Sequence, residues 1–179
     1  IIGTADMGRA SVEIIQADAS GTPEVYPTKF DRTYVNSWSR DGRTIVVTVP
    51  HVGMGWDLMT IEVGGKKELT PFLATKFEES YGSISPDGKL MAYVSNETGL
   101  TQVYVRPFPR GDAKWQVSPP SVSGPIWSTD GKRLYFGTTQ GVMSVTIAGT
   151  QAITAGEPQL VLKGNNGAQG ESCVTFELA

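Results

Sequence analysis

Ser85-Pro86-Asp87-Gly88-Lys89-Leu90-Met91-Ala92-Tyr93-Val94 is the stretch whose reading decides the fold, because the chain contains it three times. Ser39-Arg40-Asp41-Gly42-Arg43 leads into Thr44-Ile45-Val46-Val47-Thr48, and Ser128-Thr129-Asp130-Gly131-Lys132 leads to Leu134-Tyr135-Phe136-Gly137; the Asp residues lie 46 and 43 positions apart. Each copy follows an apolar or aromatic residue, Trp38, Ile84 or Trp127. Asp-Gly supplies a local hydrogen bond and a residue tolerant of positive φ, so each phrase predicts a hairpin turn between two strands. A period of about 40 to 45 residues with several short strands per period is the pattern of a β-propeller blade.

The period continues past the turn. Asp57-Leu58-Met59-Thr60-Ile61-Glu62, Gln102-Val103-Tyr104-Val105-Arg106 and Val142-Met143-Ser144-Val145-Thr146-Ile147 alternate as half-buried third strands. Fourth runs follow Gly65, Gly111 and Gly156, at Glu68-Leu69-Thr70, Trp115-Gln116-Val117 and Gln159-Leu160-Val161. At the amino end Ile2-Gly3-Thr4, Ser11 to Ile15 and Glu24-Val25-Tyr26 match the second, third and fourth strands, leaving the innermost strand unaccounted for. Val174-Thr175-Phe176-Glu177-Leu178-Ala179 reads as that strand, with Leu178 at the position of Trp127. The expectation is an all-β propeller of four-stranded antiparallel blades, about four in this chain. It forms one domain over 1–179, with blades near 1–30 plus 171–179, 31–75, 76–120 and 121–165. Its ends either meet to complete a blade, within one chain or between two, or belong to a longer propeller that has been cut. The start at Ile1 rather than Met suggests a processed product or an internal piece.

Composition bounds the rest. Of 179 residues 39% are hydrophobic and 18% charged, enough for a sizeable core, and the 21 glycines and 11 prolines fall between strand-like runs as turn punctuation. A net charge of −3, with no clustering of Lys and Arg, argues against a nucleic-acid partner. No apolar run is long enough to insert in a bilayer.

Motifs for chemistry are sparse. There is no Gly-x-Ser-x-Gly, P-loop or His-Glu-x-x-His pattern. His51, the sole histidine, sits in the irregular stretch Pro50-His51-Val52-Gly53-Met54-Gly55-Trp56 and reads as a solvated or locally hydrogen-bonded loop residue rather than a catalytic one; Cys173, the sole cysteine, permits no internal disulfide and has no neighbouring His. Asp41, Asp87 and Asp130 are turn residues a blade apart rather than metal ligands. Trp38 and Trp127, at the position of Ile84, are expected to pack blade on blade, while Trp56 and Trp115 lack that symmetry and are freer to serve the surface, with a half-buried blade edge the expected role. Asn96-Glu97-Thr98 matches a glycosylation acceptor and is given no role. No catalytic residue, metal or cofactor is expected.

Binding is expected where loops enter the innermost strands, since these segments differ from blade to blade while the blade cores do not. They are Phe30 to Asn36, Lys76 to Tyr81 and Pro119 to Ser123, and the candidate ligand-binding residues are Tyr34, Asn36, Glu78, Glu79, Tyr81 and Ser123. Aromatic rings beside acidic and amide groups suit a polar small molecule, a peptide or a basic segment of a partner.

Ser85-Pro86-Asp87-Gly88-Lys89-Leu90-Met91-Ala92-Tyr93 followed by Gln102-Val103-Tyr104-Val105-Arg106-Pro107-Phe108-Pro109 resembles the TolB-like, Pro-Asp-type propeller repeats. The run from Val103 through Trp115-Gln116-Val117-Ser118 to Trp127-Ser128 is most similar to propellers appended to bacterial serine/threonine kinases. Only the second copy keeps Pro in the turn, and no kinase or peptidase segment is present. The resemblance implies a non-enzymatic recognition or sensing module that binds a protein or small ligand and reports it to a tethered signalling domain. It also leaves open a substrate-gating propeller of a prolyl-oligopeptidase-type peptidase, or a structural assembly unit. By resemblance alone, it favours an extracytoplasmic location.

Overall fold

A computed structural model describes residues 2–6, 9–15, 18, 20–51, 53, 55–150 and 152–164. Sixteen strands and no helix are found among them. The first sheet contains β1 (Ile2–Asp6), β2 (Arg9–Ile14) and β3 (Glu24–Pro27); the second β4 (Tyr34–Trp38), β5 (Thr44–Pro50), β6 (Trp56–Glu62) and β7 (Leu69–Leu73). The third holds β8 (Glu79–Ile84), β9 (Leu90–Ser95), β10 (Gln102–Pro107) and β11 (Trp115–Gln116). The fourth holds β12 (Val122–Trp127), β13 (Arg133–Thr138), β14 (Gly141–Ala148), β15 (Thr154–Ala155) and β16 (Gln159–Lys163), the last two both pairing with β14. Every pairing is antiparallel between strands that follow one another closely in sequence, as a propeller blade requires.

The repeated phrase forms the same turn each time, and its serine does as much as its Asp-Gly. Ser39 Oγ donates to Asp41 Oδ1 at 2.6 Å and accepts from Thr44 N at 2.9 Å, while Gly42 N donates to Ser39 O at 2.9 Å. Ser85 and Ser128 repeat all three contacts around Asp87 and Asp130. Gly42, Gly88 and Gly131 take φ of 74°, 71° and 70°, the left-handed region in which a side chain is strained.

Strand alternation then sorts each blade's side chains into one face toward the preceding blade and one toward the next. Val12 and Tyr26 of the first sheet meet Ile45, Val47, Val49, Met59 and Ile61 of the second. Val46, Leu58 and Leu73 on the other face of the second meet Ile84, Met91, Tyr93 and Tyr104 of the third. Leu90, Ala92, Val94, Val103, Val105 and Val117 of the third meet Val122, Trp127, Leu134, Phe136, Val145 and Ile147 of the fourth. The core is therefore a series of junctions between blades.

Trp127 packs as the repeat predicts: it is 5% exposed and donates Nε1–H to Ser83 O at 3.0 Å on the preceding inner strand. Trp38 does not. It is 39% exposed, because the first sheet as described has three strands and presents no innermost strand to receive it. Trp115 is half-buried against the third junction. Residues 171–179, expected to supply an inner strand, and Cys173 lie outside the described residues.

Each complete blade also carries an irregularity that alternation did not predict. The register slips between Val35 and Ser37, between Ser80 and Ser83, and between Ser123 and Ile126, so every innermost strand bulges at one equivalent place. The bulge lets β8 settle onto the second blade: a Cβ on Gly82 would lie 2.6 Å from Val46 Cγ1, so only glycine permits that approach.

Candidate functional site

The Asp-Gly turns occupy one end of the blades, and the amino-terminal halves of the innermost strands occupy the other, with the end of β5 at Pro50 and the start of β6 at Trp56 beside them. All six candidate binding residues fall at this second end. Five are not loop residues as expected: Tyr34 and Asn36 belong to β4, Glu79 and Tyr81 to β8, and Ser123 to β12, and only Glu78 precedes its strand. The physical reason is the bulge. An inner strand that keeps pairing across an extra residue takes in the segment that alternation alone would assign to a loop.

The bulge also re-aims side chains. Tyr81 sits at the bulge of β8 with φ 56° and is 46% exposed. The equivalent position in β12 is Gly124, φ 38°, for which positive φ is ordinary. Tyr81 thus holds a conformation that disfavours a tyrosine while presenting its ring to solvent. Tyr34 is 51% exposed and stands edge-on to Trp56, centroids 5.5 Å apart at 71°. Two partly exposed aromatic positions on adjacent inner strands are thereby fixed by backbone rather than by loop.

Polar groups around them are held by short local bonds. Thr48 Oγ1 donates to Asn36 Oδ1 at 2.6 Å across the β4–β5 pair. Thr75 Oγ1 donates to Glu79 Oε1 at 2.5 Å, and Thr75 N to Oε2 at 3.4 Å, so Glu79, only 2% exposed, ties down the loop before β8. Glu78 stays exposed, its backbone N–H donating to Asn96 Oδ1 at 3.0 Å. A Cβ on Gly55 would lie 3.1 Å from Glu78 Cγ, which places Gly55 of the second blade against the third. Ser123 lies on the fourth blade, its Oγ over its cross-strand partner Gly137, and joins none of these contacts.

His51 is locally hydrogen-bonded, to a partner that its sequence neighbourhood did not name. Its Nδ1 lies 2.9 Å from Asp57 Oδ1 and 3.1 Å from Oδ2, across the hairpin closed by Pro50 and Trp56. The signal was available in the pairing of Val49 with Asp57, which brings residue 57 to the foot of the loop. No other side-chain hydrogen bond reaches the ring among the described residues. Burial pushes the Glu79 carboxyl above the usual carboxylate range; the Thr75 bonds oppose this, and Asp57 and Glu97 add to it. This end of the second junction is acidic, with Asp57 paired to His51, Glu97 paired to Lys114, and Glu78 exposed. Among the described residues no cluster of three or more His, Cys, Asp or Glu could hold a metal ion, and no helix is long and apolar enough to cross a membrane.

No protein-family model matches the chain, and no curated protein sequence is significantly similar to it. Solved structures are similar in fold. The putative TolB from Agrobacterium tumefaciens matches with a TM-score of 0.65 at 16% identity, over 84% of this chain and 57% of that one. TolB from Acinetobacter baumannii gives 0.61 at 19% identity, over 84% and 38%. The periplasmic gluconolactonase of Pseudomonas aeruginosa gives 0.58 at 22%, over 92% and 52%. The chain spans little more than half the length of these structures, or less, and identities at this level establish the fold alone: a TolB-like β-propeller with about four blades.

Proposed function

We propose that the chain is a non-catalytic recognition module that binds an extended, basic segment of a partner protein across the innermost strands of its second and third blades. The observation that carries this reading is Tyr81, an exposed aromatic residue kept at φ 56° where the equivalent residue of the next blade is glycine. Strain of this kind persists where the side chain is used. Tyr34 on its Trp56 support supplies a second anchor, and exposed Glu78, packed against Gly55, supplies the charge that selects a basic ligand. His51 serves this surface by holding Asp57 rather than by acting as a base: the pair has no hydroxyl or thiol bonded to it among the described residues. The resemblance to kinase-appended propellers supports a signalling context, in which occupancy of this face is reported to a tethered domain.

Selection from a random-peptide display library, followed by calorimetry on the enriched peptides, tests the reading. The expected outcome is peptides containing Lys or Arg whose affinity falls roughly tenfold or more for Tyr34→Ala, and again for Glu78→Lys. Enriched peptides indifferent to both substitutions would contradict it.

A further inference from the structure

The three junctions between blades use equivalent positions, and one junction departs from the others. Counting from the turn Asp, Ile45, Met91 and Leu134 are equivalent, and their cross-strand partners are Ile61, Arg106 and Val145. Ile61 and Val145 are buried aliphatic residues facing the preceding blade; the third blade has an arginine there. The positions that such a residue meets are Leu90 and Val105 at the third junction, both buried, but Thr44 and Thr60 at the second, both half-buried. An apolar contact has been replaced by two threonines opposite a guanidinium. A cleft of about 1000 Å³ opens there, at the Asp-Gly end of the blades and so at the opposite end from Tyr34 and Tyr81.

Arg106 is held in the wall of this cleft with donors to spare. Its Nη2 donates to Gly111 O, and its guanidinium lies 5.3 Å from the centroid of the Phe72 ring, which is itself 5.5 Å from Phe108. Its Nε–H is buried and meets no acceptor of the protein, and it makes no salt bridge among the described residues. A half-buried cation with unused donors is unfavourable for folding, and it is the arrangement in which an oxyanion gains charge-assisted hydrogen bonds. Four arginines and four carboxylates line the cleft, and the carboxylates of Asp41 and Asp87 are already engaged by the serines and backbone amides of their turns. The balance excludes a general anion sink and leaves recognition to one anionic group directed at Arg106, with an apolar body against Phe72 and Phe108.

We infer that this cleft is a second ligand site, independent of the peptide face, for a small molecule or chain terminus carrying one carboxylate or phosphate on an apolar or aromatic body. Its size suits such a ligand, since small-molecule sites commonly span about 300 to 1000 Å³. The test is an amide-resolved NMR titration of the whole chain with N-acetylphenylalanine, phenyl phosphate and the neutral N-acetylphenylalaninamide. Saturating shifts at Thr44, Thr60 and Arg106 with at least one of the two anions, and none with the amide, are expected. Response to the carboxylate alone assigns a carboxylic acid or a chain terminus, and response to the phosphate alone assigns a phosphate ester. Arg106→Leu restores the aliphatic residue of the other blades, so the fold should persist while affinity falls at least about tenfold. Arg106→Lys, which keeps the charge without the fork, should weaken binding as well. Absence of saturating shifts with both anions, an equal response to the amide, or unchanged affinity in both Arg106 variants would overturn the inference.

Discussion

At the scale of single residues, two kinds of carboxylate act in opposite directions with pH. Asp41 and Asp130 are exposed, and the hydroxyls of Ser39 and Ser128 hold their carboxyls below the usual range, so their turns gain stability above that range and lose it as pH falls. Glu79 is the reverse. Burial raises it, so the folded state retains its proton more tightly than the unfolded chain, and stability present below the ordinary carboxylate value is lost as pH rises through the raised one. Glu79→Gln should remove that loss, and unfolding midpoints measured from about pH 4 to pH 7 should fall less steeply with rising pH in the variant than in the parent. An identical slope would show that Glu79 does not titrate in this window. The turn aspartates were legible in the sequence because their chemistry is local. Glu79 was legible only as an acidic residue near a strand, since its burial depends on Thr75 closing over it and on a neighbouring blade.

Among the elements, the Asp-Gly hairpins were read directly and the bulged inner strands were not. Asp-Gly determines its own geometry, whereas residues as different as Val35, Tyr81 and Gly124 share one bulge position, so no residue type announces it. Gly88→Val should destabilise by about 1 to 2 kcal/mol in chemical denaturation; there is open space around the added side chain, so the cost is the left-handed backbone alone. An unchanged midpoint would contradict the turn. Trp127 and Trp38 make a second comparison. Trp127→Ala removes a buried indole and its bond to Ser83, with an expected loss of about 3 to 5 kcal/mol, whereas Trp38→Ala should cost about 1 kcal/mol or less. Equal losses would mean that Trp38 is covered in solution.

For the whole molecule, the blades repeat their apolar contacts and vary where those contacts are interrupted. The repeat period, the four runs per blade and the all-β class were readable because each blade states them again. The same reasoning gathered the candidate residues at one end of the blades, but Asp57 as the partner of His51 and Arg106 opposite threonines required the register between strands. Arg106 was in plain view as the charged residue in a position otherwise filled by Ile61 and Val145, and only the alignment of one junction on another gives it meaning. If rigid blades carry a recognition surface whose strain is functional, Tyr81 is where it shows, in the thermal midpoint of Tyr81→Gly together with its calorimetric affinity for a peptide selected on the parent chain. Glycine relieves the positive φ, so the midpoint should hold or rise by the equivalent of about 1 kcal/mol while affinity falls roughly tenfold or more. Unchanged affinity, or a lowered midpoint with binding intact, would contradict the claim.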